Sequence, residues 1–362
     1  MLNAKLIKGV DFTGQRFYVG IDVHKKSWTV TIRHAGMHIE QFTQPPSAEM
    51  LIKHLHGKYP GADYYSAYEA GFCGTTIHER LIKGGVNNIV INPADLPSTD
   101  KEKKNKTDIH DSRSICRNLE KGNLHGIYIL AVEQQELRAL FRQREVKVRD
   151  ATRSLNRLKS FLTFFAVDYS SLCAIRNEVI TGRVIAKLQK LLLSTEAGTI
   201  VLKDYIDDIL YHRKQLLEIT KKLKAQIQAR YTEEYKLLLS IPGIGSITAM
   251  ALLSEIIDFK RFNDPDEYCS FLGLTPWSNS SGDTEMVIGI QPRCNKHLRP
   301  LLVEASWTAI RKDPALLMYY KKHAVKNNKH AIVKVARKLA MIAKGVVSRR
   351  QMYQPGYQAV AA

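Results

Sequence analysis

The chain has 362 residues, of which 44% are hydrophobic and 25% are charged, a composition that excludes a single small module and a largely disordered chain. Lys and Arg number 54 against 35 Asp and Glu, so the formal net charge is +19. A surplus of this size attracts polyanions, and it indicates nucleic acid as the first partner to consider.

The sequence gives no sign of a membrane or an oxidising compartment. No apolar run approaches the ~20 residues of a membrane span, and the N-terminal residues lack the apolar core of a signal peptide. The five cysteines are scattered, with no Cys-x-x-Cys pair, which is typical of reduced thiols. We therefore expect a cytoplasmic protein with no membrane partner.

The first region, about residues 1–125, alternates strand and helix patterns. Phe17 to Arg33 is predicted to form a β-hairpin with a polar bend. Residues 63–70 and 87–93 are rich in β-formers, and a helical pattern that stops at two glycines lies between them. This order predicts a mixed sheet with helices packed against it, that is, an α/β domain.

The remainder of the chain has the pattern of helices. Residues 133–165 and 202–227 carry apolar positions three, four and seven apart, which predicts two long amphipathic helices that form a hairpin or mediate dimerisation. We assign residues 126–232 to this coiled-coil-like, all-α middle region. A mostly helical C-terminal domain follows at 233–350, and residues 351–362 form a flexible tail.

Four acidic residues are candidates for holding a metal ion. Asp22 ends the first strand and Glu69 ends a later one. Asp108 and Asp111 are three positions apart, so on a helix both carboxylates share one face. Mg²⁺ prefers oxygen ligands, and two such ions stabilise the attacking and leaving oxygens of a phosphodiester. Each acid taken singly also fits a helix cap or a solvated surface charge.

Two features of the C-terminal domain indicate binding to phosphates. Residues 241–249 fit a helix-hairpin-helix element, in which Gly243 and Gly245 allow a tight turn whose N–H groups bind a phosphate. An ordinary glycine turn between core helices is the alternative. Residues 291–350 contain fifteen Lys and Arg against two acids, a surplus of 13. Four cations of the last helices surround an apolar stripe and can meet phosphates: Lys334, Arg337, Lys338 and Lys344.

A serine cluster lies in residues 273–289 and comprises Ser278, Ser280 and Ser281. A serine beside a glycine is sterically open, which a nucleophile needs, but such pairs are also common in plain turns. No Gly-x-Ser-x-Gly elbow surrounds these serines. On the residues alone, a turn is the better interpretation.

Together these segments resemble a known family. The motifs YVGIDVHKKSWTVTI, YEAGFCG, KTDIHDSRS, LLLSIPGIGSITA, GLTPWSNSSG and NKHLRPLLVEASW occur in the order and at the separations of the DEDD transposases of the IS110 type. The likeness extends from Phe17 to Arg350. It implies an N-terminal domain of the RNase H-like, RuvC-like fold. It also implies that four acids hold Mg²⁺ (or Mn²⁺) and take part in catalysis: Asp22, Glu69, Asp108 and Asp111.

The resemblance further implies a C-terminal transposase domain with a nucleophilic serine. Ser281 is the best match, Ser280 is adjacent, and Ser278 is more distant. Family members are guided by a structured RNA from their own element, so the implied partners are that RNA, double-stranded donor and target DNA, and further copies in a homodimer or homotetramer. The implied setting is bacterial, at the nucleoid during activity. Residues 283–288 depart from the family, whose members are often more basic and glycine-rich there.

The sequence thus predicts a transposase or site-specific recombinase of an insertion sequence that cuts and rejoins DNA strands. In this hypothesis Ser281 is the nucleophile and a divalent metal assists it. The runner-up is a metal-dependent nuclease similar to Holliday-junction resolvases, with water as the nucleophile. A third interpretation is a non-enzymatic nucleic-acid-binding protein in which the hairpin and the basic helices are the functional parts.

Overall fold

The computed structural model describes residues 11–96, 108–173, 180–281, 284–325 and 327–355, with the backbone alone at Asp108, 278–281 and 284–288. The chain divides into two compact units, Met1–Leu130 and Ala131–Ala362. The finer division at residue 232 stays a prediction. Among the described residues, no helix combines the length and apolar character that crossing a membrane requires.

A five-stranded mixed sheet forms the centre of the first unit. Its strands are β1 (Arg16–Val23), β2 (Trp28–His34), β3 (Met37–Gln44), β4 (Asp63–Glu69) and β5 (Val86–Ile91), in the order β3-β2-β1-β4-β5. The first three strands pair antiparallel, whereas β4 is parallel to both β1 and β5. The predicted hairpin and mixed sheet are confirmed. The sequence pattern does not reveal β3, because this edge strand is mostly polar and half-exposed.

Within the described residues of the first unit, three α-helices accompany the sheet: α1 (Ala48–Lys58), α2 (Thr76–Lys83) and α3 (Asp108–Glu120). Helix α1 begins at Ser47, whose hydroxyl accepts a hydrogen bond from the Met50 amide at 3.2 Å. It buries Leu51 and Leu55 against the sheet because these residues are four positions apart on one face. The sequence analysis did not identify α1.

Helix α3 lies unusually close to β1 because Gly20 has no side chain. A Cβ at Gly20 would lie 2.2 Å from the Ser112 carbonyl oxygen and 2.5 Å from the Cys116 amide nitrogen. The hydroxyls of Thr31 and Ser112 form a buried hydrogen bond at 2.9 Å, and the Cys116 thiol donates to the Tyr18 carbonyl at 3.0 Å. These contacts fix the position of α3 along β1.

Glu40 fastens the edge strand β3 to the end of α1. One carboxylate oxygen of Glu40 lies 2.7 Å from His54 Nε2 and accepts a hydrogen bond from the Tyr59 hydroxyl at 2.8 Å, and the other pairs with Lys58. Burial by itself raises the pKa of Glu40, but the hydrogen bonds from His54, Lys58 and Tyr59 outweigh it and lower the pKa to about 2.

Two long helices, α4 (Val132–Phe164) and α7 (Glu196–Arg230), pack antiparallel in the second unit, as the sequence predicts. Arg230 donates to the Glu133 carbonyl at 3.3 Å, and Arg144 donates to the Thr220 hydroxyl at 3.1 Å. Short helices α5 (Tyr169–Leu172) and α6 (Gly182–Gln189) connect them and close a small apolar core.

The remainder of the second unit is mostly helical and surrounds the largest core. Its elements are α8 (Thr232–Leu239), α9 (Ser246–Glu255), α10 (Pro265–Leu272), β6 (Pro276–Ser281), β7 (Thr284–Ile290), α11 (Leu298–Lys312), α12 (Pro314–Ala324) and α13 (Asn328–Arg349). Helix α9 is apolar on all sides and buried from Thr248 to Glu255. The mixed α/β first part and the mostly helical remainder agree with the predicted fold class.

Gly20→Ala is expected to lower the free energy of unfolding of the first unit by about 2 kcal/mol or more, because the new methyl group collides with the α3 backbone. Gly57→Ala is the control, since a Cβ at this helical position meets nothing within 4 Å. Hydrogen exchange of the backbone amides of β1 and α3 in the full chain measures the loss of protection, which is expected in Gly20→Ala and not in Gly57→Ala. Equal protection in the two variants would contradict the close contact.

Glu40→Gln is expected to lower the free energy of unfolding at pH 7 by about 1–3 kcal/mol, because three donors lose a charged acceptor. The pKa of Glu40 is depressed when folded, so its stabilisation is present above the ordinary pKa of 4.5 and is lost as the pH falls through about 2. In urea unfolding, the difference in free energy of unfolding between the wild type and Glu40→Gln should therefore be smaller near pH 2 than at pH 7. Asp63→Asn, at an exposed position of the same sheet, should change little.

Candidate active site

The first two candidate acids end adjacent parallel strands. The register of β1 and β4 pairs Gly20 with Ala67 and Ile21 with Tyr68, so Asp22 and Glu69 are the next residues side by side. Both are half-buried, and the Asp22 side chain is 19% exposed. Nε2 of His24 lies 3.1 Å from Oδ2 of Asp22. The carboxyl edge of the sheet therefore brings these two residues together.

The second pair of acids lies on α3, close to the same edge. The helix begins at Asp108 and has Asp111 in its first turn. Its contacts run antiparallel to β1, with Ser112 at the level of Gly20. Four helix residues rise about 6 Å and two strand residues about 6.6 Å, so the helix start is level with Asp22. The backbone arrangement thus directs all four positions to one edge of the sheet.

The acids provide only oxygen donors, which are the donors that Mg²⁺ and Mn²⁺ prefer. Within the part of the chain that the structure describes, no three His, Cys, Asp or Glu side chains converge closely enough to hold a metal ion. The Asp108 side chain lies outside that part. The oxygen donors and the backbone positions of the four acids fit a hard divalent cation, whereas the described side chains do not form a completed site.

The serine cluster lies on a strand, which corrects the expectation of a plain turn. Ser278, Ser280 and Ser281 belong to β6, which pairs antiparallel with β7. Ser281 is the last residue of β6 and pairs with Thr284 across the two-residue connection. Hydrophobic alternation could not reveal β6, because Ser and Asn occupy most of it. The candidate nucleophile thus belongs to the end of a β-hairpin.

The base of this hairpin is held by hydrogen bonds to its surroundings. The backbone amide of Gln291 donates to the Thr275 carbonyl at 3.1 Å, and the Thr275 hydroxyl donates to the side-chain oxygen Oε1 of Gln291 at 2.8 Å. Arg299 on α11 donates to the Gln291 carbonyl at 2.9 Å. Gly273 has φ +68°, and a Cβ there would lie 2.2 Å from Cβ of Cys294. The hairpin therefore starts from a rigid base between α10 and α11.

Glu255 is a buried acid that the sequence analysis missed. Its side chain has no solvent exposure and accepts two hydrogen bonds from Arg142 on α4, at 2.7 and 3.0 Å. Asn295, just before α11, donates to the same carboxylate at 2.8 Å, and Arg138 donates to the Glu255 carbonyl at 2.7 Å. The signal in the sequence is the lone acid that ends the apolar run of α9.

The electrostatics of this cluster follow from its burial. The hydrogen bonds to Glu255 raise the pKa of Arg142. Burial lowers the pKa of Arg138, against the attraction of Glu255. One carboxylate thereby connects the long helix, the end of α9 and the segment that leads to α11.

The glycine turn between α8 and α9 has a packing function. Gly243 has φ +88°, and a Cβ there would lie 2.4 Å from the Ala305 carbonyl oxygen on α11. Close packing of α11 therefore requires this glycine, which supports the alternative of a turn between core helices. Gly245 is different, because a Cβ there would meet nothing within 4 Å, and it borders a cavity of about 520 Å³ that Arg144 and Arg149 also line.

The basic residues of α13 divide into two groups. Lys334, Arg337 and Lys338 line a groove of about 760 Å³ between α13 and the base of the hairpin. Lys344 instead donates to the Phe262 carbonyl at 2.7 Å, so it packs the core and does not belong to a phosphate-binding surface. The apolar stripe is buried as predicted at Ile332, Val335, Leu339 and Val346.

Comparison with known proteins gives two family matches. Residues 235–321 match the family described as "Transposase IS116/IS110/IS902 family". Residues 19–166 match a family of IS110-type DEDD proteins described as "Transposase".

Several curated proteins are also similar. The transposase for insertion sequence element IS1328 of Yersinia enterocolitica is 29% identical over 56% of this chain and 59% of its own length. The corresponding IS1111A protein of Coxiella burnetii is 25% identical over 70% of each chain. The IS1533 protein of Leptospira borgpetersenii is 25% identical over 81% of this chain and 85% of its own.

The two family matches define the class, that of the DNA transposase enzymes. The chain belongs to the DEDD transposases of the IS110 type, as its six motifs indicated.

Glu255→Gln is expected to lower the free energy of unfolding by about 1–3 kcal/mol, because the half-exposed guanidinium of Arg142 loses a charged acceptor at a buried position. Urea unfolding of the full chain, followed by far-UV circular dichroism, measures this. Glu218→Gln is the matched control on the exposed face of α7 and should change little. Equal losses in both variants would contradict the proposed importance of the cluster.

Proposed function

We propose that this transposase mobilises an insertion sequence by cutting DNA strands at its ends and rejoining them at a new site. The observation that carries the proposal is the register of β1 and β4, with Asp22 and Glu69 side by side and the start of α3 at the same level. The strand order β3-β2-β1-β4-β5 with α3 against β1 supports an RNase H-like, RuvC-like first domain.

The four acids would hold Mg²⁺ or Mn²⁺ at the carboxyl edge of the sheet: Asp22, Glu69, Asp108 and Asp111. When bound, such an ion supplies charge stabilisation at the scissile phosphate and lowers the pKa of an attacking hydroxyl. The half-buried position of Asp22 strengthens its interaction with a cation, because the local dielectric is lower than in water. His24, at 3.1 Å, helps to orient the Asp22 carboxylate.

Ser281 is the proposed nucleophile. Its Oγ would attack the phosphorus, a serine ester bond would form, and the bond from phosphorus to the leaving-strand oxygen would break. The serine proton would pass to solvent, and the leaving oxygen would take one up. The phosphoserine link conserves the energy of the ester for rejoining to another strand. The fixed base of the hairpin supports this role, because it limits the motion of the strand that carries Ser281.

The acids belong to the first compact unit and the serine to the second, so both units must reach one phosphodiester, in one chain or in two copies. We propose a homodimer or homotetramer. Three exposed apolar side chains of α7 support this: Ile200 is 60%, Tyr211 56% and Leu217 71% exposed. We also propose a structured guide RNA as partner, which the basic charge of the chain supports.

The turn before α9 is proposed to contact the phosphate backbone through its free N–H groups. Gly245 leaves open space at the start of a ten-residue helix, and Arg144 and Arg149 line the same cavity. Glu145 and Glu304 also line it, so the contact would be weaker than at a purely basic site. Such a contact would position DNA without reading its sequence.

Purified protein with element-end DNA, Mg²⁺ and RNA transcribed from the element's flanks should give a covalent protein–DNA adduct on a denaturing gel. Ser281→Ala and Asp22→Asn should each abolish the adduct, because one removes the nucleophile and the other a metal ligand. Ser280→Ala, the neighbouring residue of β6, should retain it. Free cleaved DNA without an adduct, unchanged in Ser281→Ala, would favour the metal-dependent nuclease with water as nucleophile.

A further inference from the structure

The groove between the hairpin base and α13 is lined by both positively charged and apolar side chains. We propose that this groove binds a single-stranded segment of the DNA substrate beside the serine hairpin. The proposal rests on the proposed function, because it assigns the groove to the strand that the serine would attack.

The size of the groove limits its occupant. Its volume of about 760 Å³ is that of a cavity for a drug-sized ligand. This volume is of the order of one or two nucleotides of a single strand, which is far less than a duplex site requires. One wall is α13, and the other is formed by Thr275, Pro276, Gly289 and Ile290 at the hairpin base.

The charge of the groove favours a phosphate backbone. Lys334, Arg337, Lys338 and Arg349 contribute to its lining, and none of the lining residues within the described part of the chain is acidic. Arg337 forms an ion pair with Asp266, which is not among the residues that line the groove. The pKa of His323, which lies 3.4 Å from Lys334, is lowered by desolvation and by the positive charges of Lys334 and Lys322. Cationic charge therefore dominates this wall.

The apolar part of the groove lining offers contacts for bases. Tyr319 lines the groove, and the Lys338 ammonium lies 5.0 Å from the centre of the Tyr319 ring. Met341, Ile342 and Ile290 add apolar surface. Aromatic and aliphatic side chains beside several cations are the combination that proteins use for unpaired strands, whose bases stack while the backbone meets Lys and Arg. A protein ligand would not need these cations.

The groove also lies on the strands that carry the candidate nucleophile. Pro276 and Ile290 pair at the hairpin base and line the groove, and Ser281 lies five residues further along β6. Five strand residues span about 17 Å, a distance that a few nucleotides of a single strand can bridge. A strand anchored in the groove can therefore extend along the hairpin to Ser281.

The test uses the full chain and fluorescence anisotropy with a short labelled oligothymidylate, the matched oligouridylate and the matched duplex. The groove variant replaces two cations, Lys334→Gln with Lys338→Gln. The control removes the same charge from an exposed face of α7, Lys221→Gln with Lys224→Gln. Tyr319→Leu tests stacking without changing charge. Circular dichroism establishes that each variant is folded.

We expect the groove variant to bind oligothymidylate about tenfold more weakly and to lower the slope of log K against log salt by about 1.4, since each phosphate contact on a single strand contributes about 0.7. Tyr319→Leu should weaken binding by a similar factor with an unchanged salt slope, because stacking releases no counterions. The control should keep its affinity, and the duplex should be insensitive to Tyr319→Leu.

Equal losses in the groove variant and the control would overturn the proposal. So would oligouridylate binding that is tighter than oligothymidylate binding and selectively lost in the groove variant, because the groove would then belong to RNA. If the wild-type protein forms the adduct but the groove variants bind oligothymidylate normally, the proposed role of the groove is refuted and the proposed function remains intact. Groove-dependent binding without any adduct would refute the serine chemistry alone.

Discussion

The architecture of the second unit depends on the hydrogen bonds and the ion pair that the buried carboxylate of Glu255 forms with its neighbours. Removing such a charge from water is costly, and only close partners offset the cost. Arg142 provides two hydrogen bonds and Asn295 a third, while Arg138 binds the carbonyl of the same residue. These partners belong to α4 and to the segment before α11. The cluster therefore links the long helices to the helices that surround the serine hairpin.

The absence of a side chain at Gly20 has a comparable role in the first unit. A Cβ at position 20 would lie 2.2 Å from the Ser112 carbonyl oxygen, so α3 can approach β1 this closely only if residue 20 is glycine. The short distance sets the level of α3 along the strand and, through it, the level of the two acids that begin the helix. In both units, a constraint away from the candidate catalytic residues determines where they lie.

The large net charge of the chain is not a uniform surface property. Some cations serve the fold: Arg142 pairs with the buried carboxylate of Glu255, and Lys344 binds the Phe262 carbonyl. Others, including Lys334 and Lys338, line a groove whose described residues include no acid. The +19 of the sequence predicts a polyanionic partner, but only the contacts of each side chain separate structural cations from those available to phosphates.

The sequence by itself determined the β1–β2 hairpin, the two long helices and the family, because these depend on local periodicity and on short ordered motifs. It also predicted Asp22 and Glu69 as strand-end acids. Tertiary structure decided the rest. The polar strand β6 exists through its pairing with β7, the edge strand β3 through its pairing with β2, and the role of Glu255 through Arg142, 113 residues away. Contacts between distant residues leave no periodic signal in the chain, so only the folded arrangement reveals them.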